Sequence, residues 1–168
     1  MKLSTLIISF GCLLNVSFAS ATDWQSNPSK SRLNFAPSYE GMPINGRFSL
    51  FSVTYTTDAK DQPIHLSVKV SIASADMDNS DINEAIGAAD WFNIIDFPQA
   101  QFISDQFVID TSGQFLAQGS LQLKGYNKAV TVPFRWETLP EGEASMIGEL
   151  TLARNDFFIG DGEWATGE

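Results

Sequence analysis

Apolar and polar residues alternate one for one along much of the chain, the period of a strand with one buried face. The cleanest run is "IHLSVKVSIASA", residues 64–75. Ile64, Leu66, Val68, Val70 and Ile72 share one side, and His65, Ser67, Lys69 and Ser71 share the other. The same pattern predicts strands over 31–39, 44–58, 100–110, 114–123, 128–138 and 143–153, seven in all. In the run 44–58 the phase shifts: Phe48 and Leu50 have one parity, and Phe51, Val53 and Tyr55 the other, which predicts a bulge or sharp bend. Residues 119–136, "GSLQLKGYNKAVTVPFRW", read as a hairpin turning at Gly125 to Lys128.

One stretch breaks the alternation. Between residues 78 and 99, Ile82, Ala85 and Ile86 have helical spacing, and Asp81 with Glu84 resembles a capping box. One short helix, or two, should end before Pro98. Strands at roughly ten-residue spacing predict an antiparallel sandwich or barrel. The expected fold is all-β and antiparallel, with a short helical insert. A closed barrel of this size usually has eight strands; the eighth is expected to be missing after "GDGEWATGE", which would leave an open seam with unpaired backbone groups, or to lie beyond Glu168.

Composition narrows the function classes. Lys2, the apolar run "LIISFGCLLNVSF" and Ala19-Ser20-Ala21 predict a cleaved signal peptide over 1–21, followed by one domain over 22–168. Cys12, the one cysteine, lies in that leader behind Ser9-Phe10-Gly11, a poor lipobox. The mature chain would set nine basic residues (ten less Lys2) against 20 acidic, a net charge of −11. That balance argues against nucleic acid and anionic lipid surfaces as partners. A secreted, cysteine-free domain of this kind is expected in the periplasm, stabilised by packing alone.

Candidate chemistry is sparse. His65 is the one histidine and lies on a polar strand face, with nothing to orient it as a base. Asp76, Asp78 and Ser80 match the first ligands of a calcium loop, but Asp81 stands where glycine is required and Gly87 where the bidentate glutamate belongs. No Cys-x-x-Cys-His occurs for haem attachment. No catalytic residue, metal ligand or resident cofactor is therefore assigned, and no enzymatic activity is expected.

Several motifs, in order, resemble those of the YceI-like family. They are Trp24, Gly46-Arg47-Phe48, Trp91-Phe92 with Pro98, and Phe102-Ile103-Ser104. Next come Gly119, Leu121, Leu123 and Gly125 of the hairpin, with Val130, Val132, Pro133 and Phe134 after it. Arg154, Asp156, Phe157, Gly160 and Gly162-Glu163-Trp164 follow; Phe158 stands where the family pattern has glycine. The resemblance implies a lipocalin-like, eight-stranded antiparallel barrel that holds a long apolar molecule, an isoprenoid lipid or quinone, along its axis. It also implies a link to membrane cytochromes of the b561 type, and an open seam could pair two copies of the chain.

The ligand-binding set expected on that basis is apolar. Phe48, Leu50, Leu66, Val68, Val70, Phe102, Leu121, Phe134, Trp136 and Leu150 would line the interior, with Trp91 and Phe92 of the insert at the mouth. Ala117, Gly119 and Gly148 alternate with the large residues, which suits a slot and interdigitated packing equally; the resemblance favours the slot. Burial of a few isoprene units at about 0.8 kcal/mol per CH₂ gives a gross term above roughly 10 kcal/mol. Micromolar affinity, about −8 kcal/mol, then needs no charged contact. Two other readings stand beside a carrier: a filled barrel acting as an interaction or stress-response module, and a lipid- or quinone-modifying enzyme.

Overall fold

The computed structural model describes residues 20–39 and 42–160. The expected leader thus falls almost wholly outside the described residues, as does Gly162-Glu163-Trp164.

Among the described residues, twelve strands and one α-helix follow in chain order: β1 Thr22–Gln25, β2 Leu33–Phe35, β3 Ser38–Tyr39, β4 Met42–Pro43, β5 Gly46–Phe48, β6 Phe51–Thr57, β7 Pro63–Ser71, β8 Ala75–Asp76, α1 Ser80–Gly87, β9 Gln99–Ile109, β10 Phe115–Leu123, β11 Tyr126–Thr138 and β12 Ala144–Gly148. Seven form one antiparallel sheet in the order β1-β6-β7-β9-β10-β11-β12. The sheet curls into a half-barrel, the lipocalin-like architecture expected. Its edges approach one another: Lys30, just after β1, forms an ion pair with Glu143, just before β12. Both side chains are solvated, so the pair stabilises little.

The membership of the sheet differs from expectation. The run 31–39 does not enter it. Leu33–Phe35 instead pairs with Gly46–Phe48 in a small second sheet, where the Phe35 and Phe48 rings lie 4.6 Å apart, tilted by 30°. Its place is taken by Thr22–Gln25, whose one large apolar residue is Trp24. The long strand 44–58 is two strands in two sheets, and its phase shift marks a change of sheet rather than a bulge. At the break, the backbone N–H of Leu50 donates to Ser74 Oγ (3.0 Å) and its carbonyl accepts from the Ser71 N–H (2.9 Å). The last strand ends at Gly148, five residues before the expected limit.

The turns follow local chemistry. Asp58 Oδ1 accepts from the N–H groups of Lys60 and Gln62, and Asp110 Oδ1 from those of Ser112 and Gln114, so both turns at one end of the barrel use the same aspartate clasp. At the other end Lys124 and Gly125 both have positive φ, 48° and 78°, a two-residue type I′ turn. β11 accordingly starts at Tyr126, two residues before its predicted start. The helix cap is Asn79, whose side chain accepts from the N–H groups of Asp81 and Ile82, and not Asp81. Asp81 sits in the first turn, where its charge suits the positive helix end.

Candidate functional site

The inner faces of the strands meet in two apolar clusters that share Leu121. The first holds buried Tyr55, Leu66, Phe102, Ala117 and Phe134, with Trp24, Val68, Trp136 and Met146 packed on them. The second holds Ile72, Ala100, Leu123, Phe157 and Ile159, with Phe48, Val70, Trp91, Phe92 and Ile94. The pattern follows from strand alternation: Leu66, Val68 and Val70 run along β7 from the first cluster to the second. The helical insert closes the second end through Trp91, Phe92 and Ile94.

The structure brings together ten of the residues expected to line the site: Phe48, Leu66, Val68, Val70, Trp91, Phe92, Phe102, Leu121, Phe134 and Trp136. It corrects two. Leu50 is 64% exposed, because the backbone bend that hands the chain from β5 to β6 turns its side chain outward. Leu150 follows the end of β12 and belongs to neither cluster. Sequence reasoning missed Trp24 and Tyr55. Tyr55 has the inward parity of Phe51 and Val53, and that parity is the signal that could have found it.

The aromatic rings are in mutual contact at the first end. Tyr55 lies 4.5 Å from Trp136 and 5.7 Å from Phe134, and Phe115 stacks on Phe134 at 5.4 Å. Three of these rings carry polar tips. Trp24 Nε1 donates to Thr57 Oγ1 at 3.3 Å. Tyr55 Oη and Trp136 Nε1 are both buried and have no hydrogen-bond partner among the described residues. Each such orphan costs about 1–3 kcal/mol. Burial, reinforced by the charge of Asp61, pushes the Tyr55 phenol up to about 12.

β9 approaches β10 closely at Gly119. The register shifts there, so Ser104 and Asp105 of β9 oppose this one residue. A Cβ on Gly119 would sit 2.2 Å from the Ile103 carbonyl oxygen and 2.7 Å from the Phe102 ring. The buried Ser104 hydroxyl lies 2.9 Å from the Gln118 carbonyl and 3.0 Å from that of Gln106, and accepts from the Gln106 N–H at 3.3 Å. Outside the bulge an open trough of about 460 Å³ is lined by Ile103, Asp105, Gln118 and Thr131. A second hollow, about 370 Å³, lies between Phe97, Lys124, Tyr126 and Phe158.

The polar candidates have structural partners. His65 Nδ1 lies 2.6 Å from Asp105 Oδ1, and both side chains face solvent. Asp76 and Asp78 both bind Arg47, and Asp76 also accepts from Asn83 Nδ2, so both carboxylates of the calcium-like motif already have partners. Asn83, and secondarily the Asp78 N–H and Arg47, hold the Asp76 carboxyl below its ordinary 3.8. Arg154 donates to the carbonyls of Ile159 and Gly160, each at 2.9 Å. Lys124, buried, donates to the carbonyls of Phe158 and Asp90. Phe158 itself is left-handed, φ 52° and ψ 39°, the conformation for which glycine is preferred. That costs about 1–2 kcal/mol; its stack on Tyr126 at 4.8 Å offsets about 0.5–1.5. Among the described residues no group of three or more His, Cys, Asp or Glu could hold a metal ion.

Known proteins share this arrangement. The family model described as a YceI-like domain matches residues 24–167. A UPF0312 protein of Shewanella sp. strain MR-4 is 28% identical over 160 residues, covering 89% of this chain and 83% of its own length. A UPF0312 protein of Pseudomonas putida strain W619 is 31% identical over 126 residues, covering 69% and 64%. Among solved structures, Burkholderia cenocepacia BcnA superposes with a TM-score of 0.77 at 27% identity, over 83% of this chain and 88% of that one. The Campylobacter jejuni YceI protein shares the fold, with a TM-score of 0.62 at 16% identity over 80% and 83%. Sheet order, insert and hairpin thus agree with the extent of the match, and the chain belongs to the YceI-like family.

Proposed function

We propose that the protein is a periplasmic carrier that holds an isoprenoid-type lipid or quinone between the inner faces of its curled sheet. The observation that carries this reading is the continuity of the apolar inner face. It runs from Trp136 and Trp24 at one end, through Leu121, to Trp91 and Phe92 of the insert at the other. β7 alone has nine residues, and at about 3.3 Å each its span is about 30 Å, long enough for several isoprene units. The tail would enter by parting the inner aromatic contacts, and the insert would govern access at its end. No catalytic step is part of this role.

A second reading rests on a specific observation of its own. The rings of Trp24, Tyr55 and Trp136 already touch, which suits a filled barrel acting as an interaction module. Thermal unfolding with added isoprenoid quinone separates the two. At a free concentration 100 times the dissociation constant, a carrier gains about 2.7 kcal/mol. For a domain of this size that raises Tm by about 5–10 °C. An unchanged Tm over the accessible concentration range favours the filled barrel.

A further inference from the structure

We propose that the hollow of about 370 Å³ between Phe97, Lys124, Tyr126 and Phe158 is a binding site for a small, flat monoanion, an aromatic carboxylate, whose charge pairs with the Lys124 ammonium. None of the residues that line it belongs to either inner cluster. The site is therefore separate from the inner face of the sheet, and the proposal stands whether or not that face takes up a lipid.

The first observation is a buried cation without a counter-charge. Lys124 is 8% exposed, and lysine is rarely so buried unless paired. Its Nζ donates to the carbonyls of Phe158 and Asp90, yet among the described residues no carboxylate forms an ion pair with it. Carbonyl dipoles offset part of the cost of taking the charge out of water; an anion would offset the rest. An ammonium has three N–H donors. With two given to carbonyls, one is left for a ligand in the hollow that Lys124 helps to wall.

The second observation concerns the walls. Phe97 packs directly on the hairpin turn: a Cβ on Gly125 would lie 2.7 Å from its ring. Tyr126 and Phe158 stack at 4.8 Å with both rings partly exposed. Phe158 holds its ring there from a left-handed backbone, φ 52°, where glycine would suit. Strain of that kind gathers at ligand clamps.

These features select the ligand. Lys124 is the one cation among the five lining residues, and none of the five is acidic, so a single negative charge is matched. Asp96, next to Phe97, is engaged by Asn93 Nδ2 at 2.9 Å. The acidic balance of the chain opposes anions at long range, but salt screens that field beyond about 8 Å. Three aromatic rings favour a flat apolar body. The volume is at the lower end of the range for small-molecule sites, roughly 300–1,000 Å³, and suits one or two fused rings rather than a long tail.

The test titrates the purified protein with 2-naphthoate and with its uncharged isostere, 2-naphthamide. Calorimetry reads affinity, and amide shifts in two-dimensional NMR read position. Naphthoate is expected to bind about tenfold tighter than naphthamide or better, and to move the resonances of Lys124, Gly125, Tyr126 and Phe158. In Lys124→Met the ratio falls to within about twofold. If that variant does not fold, Phe158→Gly carries the test. Glycine suits the left-handed position, so the fold is kept while one wall is lost, and naphthoate affinity falls about threefold or more. Equal binding of acid and amide by wild type overturns the inference, as does an absence of binding at millimolar naphthoate. Shifts confined to inner-face residues such as Leu121, or an unchanged affinity in Phe158→Gly, also overturn it. None of these results bears on the carrier reading.

Discussion

Trp24 and Trp136 meet edge to face with ring centroids 5.1 Å apart, although four strands separate their own in the sheet order. This contact spans the interior and holds the edge strand β1 against β11, the neighbour of the opposite edge. Of the four residues of the first strand, Trp24 is the one that packs on the core; the others hold through the ladder to β6. Trp24→Ala is expected to cost about 2–4 kcal/mol in urea unfolding, and Trp24→Phe clearly less. A loss below about 1 kcal/mol for the alanine variant would mean that the curl is held elsewhere.

The bulge opposite Gly119 gives a second expectation. A methyl there meets the Ile103 backbone oxygen, which cannot swing aside as a side chain could. Gly119→Ala should therefore destabilise by about 2 kcal/mol or more. Ser104→Ala, which removes the hydroxyl bridging the Gln106 and Gln118 carbonyls, should cost about 1–3 kcal/mol. Chemical denaturation of both variants checks the pair; a neutral Gly119→Ala would contradict the close approach.

Stability should fall at both pH extremes for identifiable reasons. Asp76, Asp58 and Asp110 have carboxyls held below the ordinary 3.8, chiefly by hydrogen bonds from Asn83, from the Gln62 N–H and from the Ser112 hydroxyl respectively. A depressed folded value means that the unfolded chain binds protons first. Their contribution is present above about pH 4 and is lost as pH falls through the folded values. Asp76→Asn should flatten that acid limb in a melting series from pH 5 to pH 2. Tyr55 has the opposite sign. Its folded value is about 12 against an ordinary 10, so its contribution is whole below pH 10 and is lost as pH rises toward 12. Tyr55→Phe should remove that part of the alkaline loss, and an unaltered alkaline limb would contradict the burial of the phenol.

Strand content was legible because its period is local. The alternation of Leu66, Val68 and Val70 is enough to orient β7. What the pattern could not carry was partnership. "TDWQ" has one large apolar residue, and its place in the sheet is decided by Tyr55 and Trp136, far along the chain. The phase shift before Phe51 was visible, but whether a chain bulges or changes sheet depends on neighbours such as Ser74, so Leu50 was assigned inward and lies outward. Asp81 and Glu84 fit a capping pattern, yet Asn79 holds the extended conformation that a cap requires. The apolar lining of the candidate site was readable for the same reason as the strands. The two unpaired donors were not, since an orphaned atom is a property of everything packed around it.

The central claim is that the inner face takes up an isoprenoid tail. Its most direct test is mass spectrometry of an organic-solvent extract of the protein, produced from its full sequence in a Gram-negative host and purified without detergent. The account predicts an isoprenoid lipid or quinone at close to one molecule per chain, reduced in a variant with charge in the lining such as Leu121→Asp that still folds. An extract free of such lipid, from protein that also fails to take up added isoprenoid quinone, would contradict it.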